Sequence, residues 1–263
     1  MDRDEFRQYA NTAKVSPQSE GEFKTKKLNI WLNAASRWLN MHQWDACADS
    51  RLKMEDFYGR PAWIGNDLSS NRDVSASVLL THTDEGYPVW FPRFWLPKEN
   101  VDELAHSTHA HYAAWAKQGL FTLTPGNFID YDRILEGNEE WIELFNVQEI
   151  AGDQFGFPQM SVKLEEKGYT ATVVSKTAKN IAQPALDLEG RIKSRLCRQD
   201  GNPVMKWMAS NAVVDRRVDG SILPKKENKD SPDKIDGLDA LLVAWGRMMV
   251  NEDKQVTQGF VEV

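Results

Sequence analysis

Cysteine is scarce in this 263-residue chain, and the two that occur, Cys47 and Cys197, are far apart. Such spacing excludes a disulfide-dense scaffold and matches neither a zinc ribbon nor a c-type haem motif. Long apolar runs are also absent, since no stretch approaches the roughly 18 residues that a membrane helix needs. Residues 1–14 contain no apolar core of a signal peptide. We therefore expect a soluble protein of a reducing cytoplasm, without a membrane partner.

A basic excess and a phosphate-binding loop are missing as well. Acidic residues outnumber Lys and Arg by 39 to 32, which gives a net charge of −7. Binding of nucleic acid would therefore depend on a local basic patch. None of the 16 glycines is followed by lysine, so the chain lacks the G-x-x-x-x-G-K-[ST] loop whose amides and lysine hold phosphates. ATP-driven translocation cannot be assigned to this chain.

The hydrophobic share of 41% and the charged share of 27% are typical of a globular protein. Residues 1–57 are predicted to form a helical extension, because apolar residues near 28–39 approach a helical stripe. From residue 58 onward, three short strands with turn signals between them indicate an antiparallel meander. Strands and helices then alternate. This order predicts an α/β fold with a mixed central sheet, an antiparallel meander followed by parallel strands, and helices on both faces.

Four aspartates in apolar sequence surroundings are candidates for a metal-binding site. Asp67 and Asp153 each close a predicted strand, Asp236 opens the last helix, and Asp239 follows on the same helical face. Buried carboxylates are costly unless they are paired or bind a metal ion. Strand ends that meet at one edge of a sheet are where α/β proteins build sites. Together these carboxylates could bind Mg²⁺ or Mn²⁺, which prefer oxygen ligands.

Each aspartate also has an ordinary structural explanation. Asp67 precedes a polar stretch and could belong to a turn. Asp153 could cap the helix predicted to start near Phe155. Asp236 could favour the first turn of its helix through the helix dipole. The hypothesis of a metal site therefore rests on their combination.

Seven segments, read in order, resemble the nuclease domain of the large terminase subunit of tailed bacteriophages. No single segment is very specific, but together they cover nearly the whole chain from about residue 23. The segments are FKTKKLNIWLN (23–33), WIGNDLSSNRDVSA (63–76), FWLP (94–97), LTPGNFID (123–130) with the stretch before it, EIAGDQFGFPQM (149–160), NPVMKWMASNAVV (202–214) and KIDGLDALLVAWG (234–246).

This resemblance implies an RNase H-like nuclease domain over residues 58–263. It implies that Asp67, Asp153 and Asp236 are the metal-binding acidic positions, with Asp239 a further ligand that is less firmly matched. Asp73 matches a recurrent family aspartate to which no role is assigned. Residues 1–57 resemble the connector between the family's ATPase and nuclease domains. The ATPase domain itself is missing here, so the chain is expected to be either a fragment or a free-standing nuclease.

The function implied is a metal-dependent endonuclease that cuts double-stranded DNA, releasing genome lengths from a viral concatemer during packaging. Two Mg²⁺ or Mn²⁺ ions would activate a water and stabilise the leaving oxygen of the phosphodiester. The resemblance implies a small terminase subunit and a portal as partners, and the cytoplasm of the host as location. The alternatives are an RNase H-like nuclease acting on junctions or RNA–DNA hybrids, and a non-catalytic module that docks on DNA or portal.

Two basic sets could hold the DNA backbone, which Lys and Arg bind whatever the base sequence. Either set could equally be a solvated surface. A cluster of histidines at 106, 109 and 111 lacks a carboxylate partner, so we expect surface or packing roles for it. The basic sets are Arg191, Lys193, Arg195 and Arg198, and then Arg216, Arg217, Lys225, Lys226 and Lys229.

Overall fold

The computed structural model describes residues 3–13, 23, 37–69, 73–108, 111–217, 220–227 and 233–259. The predicted helical stripe near residues 28–36 lies outside this range. Residues 37–57 do not continue one long helix, since they contain only a short helix at Met41–Asp45 and a 3-10 turn at Met54–Phe57. They nevertheless pack into the core, where Trp38 and Trp44 are buried. The backbone N–H of Trp38 donates to the carbonyl of Ala212 at 2.9 Å.

The helices and strands follow the predicted order, with short strands and amphipathic helices alternating after residue 130. In chain order they are α1 (Arg3–Ala13), α2 (Met41–Asp45), β1 (Pro61–Asp67), β2 (Ser75–His82), β3 (Pro88–Pro97), α3 (Val101–Thr108), α4 (Tyr112–Lys117), β4 (Thr122–Thr124), α5 (Tyr131–Leu144), β5 (Asn146–Asp153), α6 (Pro158–Glu166), β6 (Ala171–Val174), α7 (Ala178–Ser194), β7 (Arg198–Gln199), α8 (Pro203–Asn211), β8 (Val213–Arg216), β9 (Ile222–Lys225) and α9 (Asp236–Gly259).

The central sheet has the strand order β4-β3-β2-β1-β5-β6, with β7 paired to β3. Strands β1, β2 and β3 are antiparallel neighbours, whereas β5 and β6 continue from β1 as parallel strands. Strands β8 and β9 form a separate two-stranded sheet. The predicted mixed sheet, a meander followed by parallel strands, is confirmed.

Both faces of the sheet are covered, because successive residues of the central strands point to opposite faces and nearly all of them are buried. One face carries Trp63, Leu80 and Trp90 against the helices α7, α8 and α9. The other face carries Ile64 and Ile150 against α5 and α6. Burial on both faces explains why the central strands read as continuous apolar runs.

Helix α9 comes unusually close to strand β1, and Gly65 permits this approach. A Cβ atom at Gly65 would lie 2.6 Å from the backbone nitrogen of Ala244, closer than real Cβ atoms come. Two residues beyond Gly65 the strand ends at Asp67, and one turn before Ala244 the helix carries Ala240. The contact therefore brings the start of α9 to the same end of the sheet as Asp67.

Candidate metal centre and its surroundings

Asp67 and Asp153 lie side by side at the carboxyl ends of two parallel strands. Asn66 of β1 is paired with Gly152 of β5, so the next residue on each strand is an aspartate. Both side chains are largely buried. Strand β6 ends at the same edge, because Val174 is paired with Asp153. Three neighbouring strand ends therefore converge on one place, as the sequence predicted for two of them.

A lysine that the sequence reasoning overlooked sits among these carboxylates. Lys176 follows β6 by two residues, and its Nζ lies 2.8 Å from Asp67 Oδ1, 3.1 Å from Asp239 Oδ2 and 3.4 Å from Asp153 Oδ2. The three carboxylates come from β1, β5 and α9, which are far apart in the chain. Folding thus gathers three of the four predicted aspartates around one cationic group.

The charges of this cluster perturb one another strongly. Burial raises the pKa of Asp67 to about 8, with Asp239 and Asp236 adding to the rise and Lys176 opposing it. Burial alone would lower the pKa of Lys176, but Asp239, Asp67 and Asp153 outweigh it and raise that pKa above its ordinary value. A site that holds carboxylates with too few cations is typical of a functional centre rather than of a structural ion pair.

Asp236 lies one turn before Asp239, beside the cluster rather than in contact with Lys176. Its Oδ2 is buried and has no hydrogen-bond partner among the described residues. Burial and the charge of Asp73 raise the pKa of Asp236 to about 6, against the opposing charges of Lys226 and Lys234. An unpartnered buried carboxylate oxygen calls for a ligand or a cation.

Asp73, whose role the sequence left open, pairs with Lys234. The Lys234 ammonium donates a short hydrogen bond to Asp73 Oδ2, and the lysine is buried. The carbonyl of Lys234 accepts a hydrogen bond of 3.0 Å from Asn211 Nδ2, which fixes the backbone just before α9. Lys234 is a second overlooked residue. Its position within the KIDG segment, two residues before Asp236, was the available signal.

The donor set suits a hard divalent cation by its chemistry. Carboxylate oxygens from Asp67, Asp153 and Asp239 face one point, and Asp236 adds an oxygen without a partner. Mg²⁺ and Mn²⁺ prefer such ligands. Within the described ranges, however, no three His, Cys, Asp or Glu side chains are already arranged around a common ion position. The carboxylates contact the Lys176 ammonium, and their chemistry is that of a site for a divalent cation.

The predicted basic run 191–198 lies at the other end of the sheet. Strand β7 begins at Arg198 and pairs with Val89, near the start of β3. Burial and the charge of Arg191 lower the pKa of His82, so Arg191 lies near this histidine. His82 is six residues along β2 from Ala76, the partner of Asp67, which corresponds to about 20 Å of strand. Arg191 pairs with Asp187 at 2.8 Å. The structure therefore does not bring this run to the carboxylates.

The second basic set is split by its position in the fold. Lys225 ends β9, and the charge of the adjacent Lys226 acts on Asp236, so this end of the set borders the site. Arg216 instead pairs with Glu189 at 2.7 Å. Lys229 lies outside the described residues. Nine basic positions were predicted, and among those that the structure describes, Lys226 is one whose charge acts on Asp236.

The remaining candidates from the sequence, histidines and aromatic residues, pack against other side chains. His111 packs edge-on against the ring of Trp115 with centroids 6.2 Å apart, and His109 lies outside the described residues. Trp90, Phe94 and Trp95 are fully buried in the sheet and belong to the core. Among the described residues, no helix combines the length and the apolar character that crossing a bilayer demands.

Comparison with known proteins identifies the family of this chain and agrees with its fold. The family description "Terminase large subunit, endonuclease domain" matches residues 2–252. Protein YmfN of Escherichia coli (strain K12) is 31% identical over 261 residues, covering 95% of this chain and 57% of that protein. The terminase large subunit of Enterobacteria phage HK97 is 28% identical over 242 residues, covering 90% of this chain and 46% of that protein. The chain thus spans about half the length of these relatives.

The solved structure of the HK97 bacteriophage large terminase superposes with a TM-score of 0.71 at 24% identity, over 94% of this chain and 51% of that one. The two structures therefore share a fold, in agreement with the mixed sheet expected from the order of strands. Because the family match extends over nearly the entire sequence, the chain belongs to the family of terminase large subunit endonuclease domains.

Proposed function

We propose that this chain is a metal-dependent endonuclease that cuts double-stranded DNA, with Asp67, Asp153, Asp236 and Asp239 holding two Mg²⁺ or Mn²⁺ ions. The observation that carries the proposal is the approach of three carboxylates, from three distant segments, to within 3.4 Å of one ammonium nitrogen. A purely structural ion pair needs one carboxylate for one lysine. The surplus of negative charge, concentrated where three strands end, is what a divalent cation requires.

Each protein group has a separate task in this scheme. Asp67 and Asp153 come from neighbouring strands and provide a rigid base, because their backbones are fixed by the ladder between β1 and β5. Asp239, from the first turn of α9, meets that base at Lys176, and Asp236 lies one turn before it with a buried oxygen that has no partner among the described residues. Bound divalent ions supply an activated water and neutralise charge on the leaving oxygen. Lys226, at the border of the site, would bind a backbone phosphate and thereby position the strand.

An exposed aromatic beside Asp153 adds to the surface that a duplex would meet. Phe155 is 83% exposed, and its backbone N–H donates to Asp153 Oδ1 at 2.6 Å. The residue after it, Gly156, lies so close to Leu68 that a Cβ atom would come within 2.7 Å of the Leu68 carbonyl oxygen. The turn is therefore held against β1 while the ring points away from the core, at the rim of the carboxylate cluster.

The wider role follows the relatives rather than the site. In a packaging assembly, this nuclease would separate one genome length from a concatemer, in company with an ATPase domain, a small terminase subunit and a portal. A host cytoplasm is the corresponding location. Because the chain spans about half of its relatives, these partners are proposed for the whole protein of which such a domain is a part.

Plasmid cleavage in Mn²⁺ tests the proposed activity. We expect the parent to cut supercoiled DNA and Asp67→Asn to lose at least about a hundredfold in rate, because a metal ligand is lost. Asp132→Asn is the matched control, since Asp132 is a surface carboxylate that pairs with Lys163. If the parent binds Mn²⁺ but cuts only branched DNA or RNA–DNA hybrids, those substrates would replace double-stranded DNA in the proposal. A parent that neither binds Mn²⁺ nor cuts would favour a docking module.

A further inference from the structure

The side chain of Lys176 occupies the place where the carboxylates converge. Its loop between β6 and α7 is held by Asn180, whose Nδ2 donates to the carbonyl of Ser175 at 2.9 Å and contacts Ser175 Oγ at 3.1 Å. The backbone N–H of Thr177 also donates to the Ser175 carbonyl at 2.8 Å. The residues on both sides of Lys176 are thus fixed, and its ammonium is directed into the site.

The ammonium group of Lys176 contacts all three carboxylates in this position. Lysine has three N–H donors and no acceptor, and three carboxylates lie within ion-pair distance of Nζ. Two of the donors form hydrogen bonds, to Asp67 Oδ1 and to Asp239 Oδ2, and Asp153 Oδ2 adds an ion-pair contact at 3.4 Å. The contacts of the ammonium are therefore with the carboxylates of the cluster.

A divalent cation and this ammonium repel each other when both bind the same carboxylates. Like charges a few ångströms apart repel strongly in a partly buried site, and the side chain of Lys176 is only 27% exposed. The four-carbon stem of lysine is flexible, so the ammonium can swing away without a change in the backbone.

We propose that Lys176 is a displaceable counter-cation: it holds the carboxylate cluster together in the metal-free protein and competes with the divalent ion for it. The inference rests on the proposed function. In this role Lys176 is a positioning residue, because it acts on the metal ligands. Its consequences are a weaker affinity for metal and a more stable metal-free state.

Two measurements on the purified chain at pH 8.0 separate these consequences. Calorimetric titration with MnCl₂ gives the affinity, and thermal unfolding in EDTA gives the stability of the metal-free protein. For Lys176→Met we expect Mn²⁺ to bind about tenfold more tightly or better, since a competing positive charge is gone. We also expect a lower Tm in EDTA, with the deficit regained when Mn²⁺ is added.

Variants that preserve folding make the result decisive. Lys176→Gln keeps a hydrogen-bond donor without the charge and should show the same tighter binding, whereas Lys176→Arg should bind Mn²⁺ no more tightly than the parent. Lys206→Met is the control, because Lys206 forms a surface ion pair with Asp45 at 2.9 Å and should change neither measurement.

The outcomes distinguish this inference from the proposed function. If the parent binds Mn²⁺ and Lys176→Met and Lys176→Gln bind it equally or more weakly, the competition is overturned while the metal site stands. If none of the proteins binds Mn²⁺, the proposed metal-dependent function fails, and the inference fails with it. Tighter binding by both neutral variants, together with the metal-reversible loss of Tm, supports the inference.

Discussion

Two buried carboxylates on strand β5 stand four residues apart and have opposite surroundings. Glu149 is buried, and its single carboxylate has several partners. Asn251 Nδ2 donates a hydrogen bond of 2.9 Å, Thr172 Oγ1 donates a short hydrogen bond, and Arg247 Nε forms an ion pair at 2.9 Å. Asp153, at the end of the same strand, accepts a hydrogen bond from the backbone N–H of Phe155 and shares a single lysine with two other carboxylates. One carboxylate meets several side-chain donors at Glu149, whereas three carboxylates share one side-chain cation at Asp153.

The pKa values reflect this contrast. Burial by itself would raise the pKa of Glu149, but the hydrogen bonds from Thr172 and Asn251 and the charge of Arg247 outweigh it and lower that pKa. In the other cluster burial and neighbouring carboxylates raise the pKa of Asp67 to about 8. Burial alone therefore does not distinguish a structural carboxylate from a functional one. The balance of donors around it does.

The largest difference is expected in catalysis. Asp153→Asn should reduce Mn²⁺-dependent plasmid cleavage by at least about a hundredfold, because it removes a proposed metal ligand. Glu149→Gln should retain cleavage within a few-fold once the folded fraction is taken into account. Initial rates on supercoiled DNA check both. Equal losses of cleavage rate in the two variants would contradict the claim that Asp153 has a catalytic role that Glu149 lacks.

The next difference is expected in stability, with the order reversed. Glu149→Ala should lower the free energy of unfolding by about 3 kcal/mol, because the largely buried Arg247 is left without its carboxylate partner. Asp67→Asn should leave the metal-free protein at pH 8 as stable as the parent or more so, since it relieves crowded negative charge. Urea unfolding in EDTA measures both values. A marked destabilisation by Asp67→Asn would show that the cluster is a structural ion pair.

Acid should reveal Glu149 through linkage. Its folded pKa is lowered, so its ionised form adds stability that is fully present above the unfolded pKa of about 4.5 and is lost as the pH falls through the folded pKa. Unfolding free energies of the parent should therefore fall more steeply below pH 4.5 than those of Glu149→Gln. Parallel curves for the two proteins would contradict the lowered pKa.

The smallest effect is expected at the two ends of the sheet. Lys226→Met should weaken binding of a short DNA duplex several-fold in Ca²⁺, because Lys226 borders the aspartates. Arg195→Met should weaken it less, since Arg195 follows α7 at the far end. Fluorescence anisotropy at fixed salt makes the comparison. A larger loss for Arg195→Met would place the DNA path along the basic run 191–198.

Much of the fold and part of the site could be predicted from the chain itself. Alternating and continuous apolar runs gave the mixed sheet, and the rule that sites form at strand ends singled out Asp67 and Asp153. The same rule applied to β6 would have pointed to Lys176, two residues beyond that strand. A lone lysine in a polar loop carries no pattern of its own, so the sequence did not single it out.

The orientation of α9 and the position of the basic run depend on tertiary geometry, which cannot be read from the pattern of a single sequence. The start of α9 offered Asp236 and Asp239 on one face, and the rotation of the helix against β1, set by the close approach at Gly65, directs Asp239 to Lys176. The basic run looked suitable by composition. A helix of 17 residues spans about 25 Å, and α7 carries that run away from the site.

The most direct test of the central claim is a crystal of this protein grown with Mn²⁺ and measured at the manganese absorption edge. We predict anomalous density at coordinating distance from Asp67 and Asp153, with a carboxylate of α9 as a further ligand and the Lys176 ammonium withdrawn. Density that is absent from the ends of β1 and β5, with Lys176 still bound by the three carboxylates at saturating Mn²⁺, would contradict the account.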